Sequence, residues 1–307
     1  MKRALKWFGV ILGGLVGLIL ITALGLYAKA MIQFNKTYDV QVKPVLIPTD
    51  ADSIKHGKHL AAFLCVECHG EDLGGRPNWK LLPGIAAVSP PNLTLGEGSV
   101  ITHFTDEDLV RVLRHGVKPE GNSVFVMPSM YFHHLNDDDL GDLLAYMKSV
   151  PFVDRDNGGE EHVRLTFLGN VLYGAGAFGN LLSAEVIDHD TQPTSFLEPG
   201  VTAEYGEYLI NINGCRGCHG AQLAGGQPPD PNSTLAPNLT PGGELIAWTD
   251  ADFIKTLRTG VALSGHQLDP KFMPWDYKGR MTDDELKAIF LYLQSLPKLG
   301  TSTKLVK

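Results

Sequence analysis

At 307 residues, with 20% charged and 44% hydrophobic residues, the chain is long enough for more than one domain and too apolar to be a disordered polymer. Its formal net charge is −8, and residues 1–30 carry four cations and no anion, so the remainder holds −12 and nucleic acid is not an expected partner. Only four cysteines occur, which leaves no room for a disulfide-rich scaffold.

In chain order, Lys2, Arg3 and Lys6 precede an uncharged run from Trp7 to Ala28. As a helix, those 22 residues would span about 33 Å, enough for a bilayer core. The three cations would stay on the inner side, placing the rest of the chain outside. Ala28-Lys29-Ala30 resembles a leader-cleavage site, so a removed signal peptide is the rival reading. The apolar run exceeds the roughly 7–15 residues of a leader core, which predicts a retained anchor over 1–30. Gly9, Gly13 and Gly17 share a spacing that could pack against another membrane helix, a weak signal in a segment where glycine is common.

A short helical stretch then leads to Cys65-Val66-Glu67-Cys68-His69, and a second leads to Cys215-Arg216-Gly217-Cys218-His219; the two motifs use every cysteine. C-x-x-C-H is a c-type haem attachment pattern, in which each thiol adds across a porphyrin vinyl group and the histidine becomes the proximal iron ligand. A thioredoxin-like motif would need a βαβ pattern, which is missing. One shared zinc would need pairs 150 residues apart to meet, with no use for either histidine. Two copies imply two covalently bound haem c groups.

The motifs head a long internal repeat. Gly57-Lys58-His59-Leu60 matches Gly206-Glu207-Tyr208-Leu209, Pro91-Asn92-Leu93-Thr94 matches Pro237-Asn238-Leu239-Thr240, and Met127-Pro128 matches Met273-Pro274. In each copy a helix is predicted to open at Thr105-x-x-Asp108 or Thr249-x-x-Asp252 and to stop at Gly116 or Gly260. A second helix opens at Asn136 or Thr282, carries an apolar stripe through Leu140, Leu143, Leu144 and Met147 or Leu286, Ile289, Phe290 and Leu293, and ends before Pro151 or Pro297. No run alternates convincingly with period two, so the class is all-α. The expected domains are 45–152 and 200–299, joined by a linker over 153–199 where the repeat breaks down. Leu165 to Ala184 is uncharged but carries Asn170, Asn180 and several glycines, which reads as a buried inter-domain arm, or equally as a segment that touches a partner or the membrane surface, rather than a second membrane span.

Met127 and Met273 are the candidate sixth ligands, because each lies thirteen residues ahead of its equivalent leucine, Leu140 or Leu286. Met130 faces Asp276 in that register, and His133 and His134 face Gly279 and Arg280, so these rivals lack partners. His56, His59, His103, His115 and His266 likewise read as structural. A ligating histidine donates its second ring N–H to an acceptor. Pro91 and Pro237 offer a carbonyl without an N–H, although by spacing alone each could equally be part of an ordinary turn.

With these motifs the chain resembles the class I cytochrome c family, and more narrowly the multihaem cytochrome c subunits that accompany periplasmic alcohol, gluconate and nicotinate dehydrogenases. The resemblance covers nearly all of 50–300. It implies two tandem class I cytochrome c domains behind a single N-terminal transmembrane helix, with His69/Met127 and His219/Met273 holding low-spin irons and Pro91 and Pro237 fixing the proximal rings. It further implies single-electron transfer between redox proteins on the periplasmic side of a bacterial inner membrane, with substrate chemistry done elsewhere and no catalytic residue in this chain. Those subunits typically have three haem motifs and this chain has two. A dihaem peroxidase is the enzyme alternative, but it needs one open distal site, and matching methionines in both repeats speak against it.

Overall fold

The computed structural model describes residues 2–157, 162–191, 196–228 and 233–306, and the expected linker 153–199 lies partly outside them. It begins with α1 (Lys2–Phe34), which is longer than the predicted anchor. This is the one described helix long and apolar enough to cross a membrane. Its extra turns continue because Ala30 is fully buried and Phe34 packs beside it.

The first unit contains α2 (Ala51–Leu64), α3 (Val66–His69), α4 (Asp106–His115), α5 (Ser129–Phe132) and α6 (Asp137–Ser149). After α7 (Phe167–Gly174) in the arm, the second unit repeats the set as α8 (Ala203–Ile212), α9 (Arg216–His219), α10 (Asp250–Thr259), α11 (Trp275–Lys278) and α12 (Asp283–Ser295). The boundaries follow local chemistry. Thr105 and Asp108 form a reciprocal capping box at α4, as do Thr249 and Asp252 at α10, while Asn136 and Thr282 cap α6 and α12. Gly116 and Gly260 close α4 and α10 in the left-handed region, at φ of 64° and 72°. The stretch before the first motif, expected to be short, is a fourteen-residue helix capped by Asp50.

Each unit is organised around one close crossing. A side chain at Gly57 on α2 would overlap the Asp142 carbonyl on α6, and one at Gly206 on α8 would overlap the Ala288 carbonyl on α12. These glycines let two helix backbones touch. A single apolar core runs through both units, from Leu60, Phe63 and Leu140 to Leu209, Leu286 and Leu293.

One small sheet departs from the all-helical expectation. β1 (Lys80–Leu82), β2 (Ala86–Val88) and β3 (Val163–Leu165) are antiparallel in that order, with Leu81 opposite Ala87 and Ala87 opposite Arg164. Strands of three residues are too short for alternation to register in sequence. The sheet ties a hairpin of the first unit to the arm. The arm continues into α7, which packs on α1, so Ala30, Tyr173 and Leu182 form a second, separate core.

Candidate haem sites

Cys68 and His69 lie on a single turn, α3, with Cys65 at its N-cap directly after α2; Cys218 and His219 lie on α9, with Cys215 at its N-cap, reached from α8 through Asn213 and Gly214. Gly70 and Gly220 then reverse the chain at φ of 82° and 80°, so that Gly75 N–H donates to the His69 carbonyl at 2.8 Å and Gly225 N–H to the His219 carbonyl at 2.9 Å. Leu73 and Leu223 take positive φ inside these loops and are fully buried. Burial of both side chains holds them in a conformation costly for leucine.

The imidazoles have matching environments. His69 Nδ1 is 2.9 Å from the Pro91 carbonyl, and His219 Nδ1 is 2.9 Å from the Pro237 carbonyl. A carbonyl can only accept, so Nδ1 carries the proton in both rings and Nε2 keeps its lone pair. Burial pushes the His69 pKa down to about 4 against the opposing pull of the Pro91 carbonyl, and burial likewise lowers that of His219. Both rings are therefore neutral and ready to ligate at pH 7.

The next residues of the repeated Pro-Asn-Leu-Thr segment fix that carbonyl. Asn92 Oδ1 accepts from Thr94 N–H at 2.9 Å, while its Nδ2 donates to the Val153 carbonyl at 2.6 Å. Asn238 Oδ1 accepts from Thr240 N–H at 2.9 Å, and its Nδ2 donates to the Leu299 carbonyl at 2.8 Å. Asn92, Thr94, Asn238 and Thr240 are all buried. Their supporting role was not assigned from sequence, although duplication of Asn and Thr at identical spacing was the available signal.

None of the four cysteines is paired in a disulfide. Burial raises each of them, Cys65 to about 12 and Cys68 and Cys215 to about 11. The donor set thus fits a covalent haem: two uncharged thiols within one helical turn, followed by a neutral imidazole whose outer nitrogen is uncommitted.

Met127 and Met273 are half-buried on the loops entering α5 and α11, packed against the shared core. Their supports differ. Ser183 of the arm donates its hydroxyl to the Met127 carbonyl, Val126 N–H donates to the Leu181 carbonyl at 2.9 Å, and Val126 itself is left-handed at φ 71°. The Met273 loop closes on its own residues, with Met273 N–H donating to the Asp269 carbonyl at 3.0 Å. Among the rivals, His133 commits Nδ1 to the Arg114 carbonyl at 3.0 Å, whereas Met130 and His134 line a small cavity against the second unit.

The two sites meet across the unit interface. Lys278 of α11 donates to the Phe63 carbonyl at 2.9 Å, two residues ahead of Cys65, and burial lowers its pKa. Tyr131, ahead of the second motif in space, covers Gly214 and Gly217 so closely that neither position could carry a side chain.

A family model described as Cytochrome c matches residues 54–151 and again 203–297. The fructose dehydrogenase cytochrome subunit of Gluconobacter japonicus is 28% identical over 282 residues, which cover 83% of this chain and 54% of that one. The alcohol dehydrogenase (quinone) cytochrome c subunit of Gluconobacter oxydans (strain 621H) is 27% identical, covering 81% and 56%. The gluconate 2-dehydrogenase cytochrome c subunit of Pantoea cypripedii is 26% identical, covering 79% and 59%. The chain spans a little over half the length of these curated relatives.

Proposed function

The chain belongs to the cytochrome c family, and from that premise we propose that it is a membrane-anchored dihaem carrier serving as the electron-transfer subunit of a periplasmic dehydrogenase. The observation that carries the reading is the duplicated proximal geometry: two buried, neutral histidines, each behind a C-x-x-C pair and each held at Nδ1 by a proline carbonyl. The partner is inferred from the relatives, whose names are those of cytochrome subunits of fructose, alcohol and gluconate dehydrogenases.

A bound haem supplies one-electron exchange at iron, and the protein supplies ligands and a fixed environment. Cys65 and Cys68, or Cys215 and Cys218, would hold the ring covalently. His69 or His219 presents Nε2 while its Nδ1 proton stays on the proline carbonyl, so the imidazole neither rotates nor titrates near neutral pH. Met127 and Met273 would offer a thioether, which favours the reduced state. Buried Asn92, Thr94, Asn238 and Thr240 keep the carbonyls still, so both imidazoles are held in one orientation. Arg3, Lys2 and Lys6 would orient α1 with its haem units on the outer face of the inner membrane.

The peroxidase alternative draws no support from the matched relatives, which are cytochrome subunits. The test is haem stoichiometry together with the visible spectrum of the purified ferric protein. Two covalent haems per chain, both low-spin with a weak red sulfur-to-iron band, are expected. One haem, or a high-spin spectrum with hydrogen-peroxide turnover, would sink the proposal.

A further inference from the structure

Beside α1 lies an apolar surface that no part of the described chain covers. α7 meets α1 where the uncharged run ends: the Tyr27 and Phe167 rings stack at 5.4 Å, Lys29 Nζ donates to the Gly174 carbonyl at 3.0 Å, and a side chain at Gly174 would overlap the Leu26 carbonyl. Its inner face, with Gly169, Asn170, Tyr173 and Gly174, is buried. Outward on the same helix, Phe167 and Leu168 are 55% and 51% exposed. The β1–β2 hairpin adjoins it, since Thr166 bonds the Ile85 and Gly84 groups, and the hairpin exposes Leu81 and Leu82 at 59% and 50%. Between hairpin and β3 lies an open apolar concavity of about 410 Å³.

Charge distinguishes this surface from the rest of the molecule. The chain has 34 acidic residues, yet none falls between Leu73 and Gly96 or between His162 and Ala184. Among the described residues, Arg164 on β3 and Lys80, whose ammonium lies 4.1 Å from the Trp79 ring centroid, border the patch. Exposed leucine and phenylalanine, a flanking tryptophan and a cationic rim are what a bilayer interface with anionic headgroups selects.

We propose that the hairpin tip at Leu81–Leu82 and the outer face of α7 dip into the outer leaflet of the bilayer that α1 spans. The occupant is phospholipid, and the evidence is positional: α7 adjoins α1 at Leu26 and Tyr27, where the apolar run ends, and the hairpin joins α7 through Thr166. A lipid contact through α7 and the hairpin joined to it, beside the span of α1, would keep the haem units from swinging about a single tether. Because the same arm reaches Met127 through Ser183, this contact also fixes the first candidate haem site relative to the membrane plane.

The inference rests on α1 being a membrane span, and the experiment separates the two. Full-length holoprotein is reconstituted into vesicles of phosphatidylethanolamine and phosphatidylglycerol, with single-cysteine variants Leu82→Cys, Leu168→Cys and, as an exposed reference, Leu46→Cys, whose native side chain is 85% exposed. Wild type, with its own thiols taken up by porphyrin, gives the blank. Leu82→Cys and Leu168→Cys are expected to react with a polar maleimide about tenfold more slowly than the reference, and nitroxides there to collide with oxygen in preference to a water-soluble nickel complex. Equal labelling at all three positions, in a protein that resists alkaline extraction, would overturn the platform and leave the anchor standing; extraction by alkali would remove the anchor itself. Protection that appears only on adding the dehydrogenase partner would also overturn it, by making the face a protein interface. If Leu168→Cys fails to mature, Leu82→Cys on the hairpin carries the same test.

Discussion

His59 Nε2 of the first unit lies 2.8 Å from Glu285 Oε2 of the second, and the residues equivalent to them by the internal repeat, Tyr208 and Asp139, form the same contact in the opposite direction. The interface is therefore isologous in plan, as in a two-fold dimer, but the two copies of the contact have different chemistry. The same pattern extends outward, where Arg280 bridges Glu71 at 2.7 Å and the Tyr277 hydroxyl accepts from Arg76 at 3.2 Å, facing Tyr131 over the opposite motif.

Different partners send the two carboxylates in opposite directions. Burial pushes Glu285 up, but the hydrogen bond and charge of His59, with bonds from Thr282, outweigh it and leave the group below its usual 4.5. At Asp139 burial wins over the bonds from Tyr208 and Asn136, and the group is raised above 3.8. A lowered carboxylate contributes stability that is complete above the unfolded value and lost as pH falls through the folded one; a raised carboxylate contributes below the unfolded value and loses that contribution as pH rises. Glu285→Gln is therefore expected to cost about 1–2 kcal/mol at pH 7, shrinking toward pH 4. Asp139→Asn is expected to be neutral or stabilising at pH 7. Urea unfolding of both variants at several pH values checks the contrast, and equal losses at pH 7 would refute it.

The glycine crossings give a second expectation. Gly57→Ala and Gly206→Ala each force a methyl against a backbone carbonyl that cannot move without its helix, at a cost of about 3 kcal/mol. Gly200→Ala, with no atom within 4 Å of the added methyl, should leave thermal unfolding unchanged.

Met127→Ala and Met273→Ala are expected each to lower one midpoint potential and to admit carbon monoxide at one iron. Ser183→Ala, which removes the arm's hold on the Met127 carbonyl, should broaden or lower only the transition that Met127→Ala affects. A potentiometric titration that moved both transitions equally would show that the arm does not act through Met127.

Lys278 stands where the first repeat has buried Phe132, and it brings its ammonium to the Phe63 carbonyl, two residues ahead of the first motif. A unit charge on the order of 10 Å from a redox centre in an effective dielectric of about 20 is worth about 1–2 kcal/mol, which for one electron is tens of millivolts. Lys278→Met should lower the summed potentials by tens of millivolts, and Lys278→Arg should restore most of the loss. No change with Lys278→Met would exclude a role for the charge.

Much of this architecture is legible in sequence because it is local. Capping boxes at Thr105 and Thr249, stops at Gly116 and Gly260, and C-x-x-C-H turns are each written within a few residues, and the repeat marks which of them matter. His59 reads as structural in the sequence for want of an equivalent histidine; its equivalent is Tyr208, and only docking of the units shows that both meet a carboxylate. Asn92 and Thr94 were seen as a repeated string without a role, because their partner Val153 is about sixty residues away. The sheet escaped because three-residue strands leave no periodic trace. Support of Met127 by Ser183 was equally invisible, since the arm has no second copy to compare.

A pair of separate but identical chains meeting on such an axis would suffer every substitution twice, and its two centres would stay equal in energy. Covalent fusion removes that constraint. Phe132 could remain apolar while Lys278 became a cation, and Tyr208 could remain neutral while His59 acquired basicity. Divergence on one side of an old symmetry leaves the two sites in unlike surroundings, so two centres held there would differ in energy.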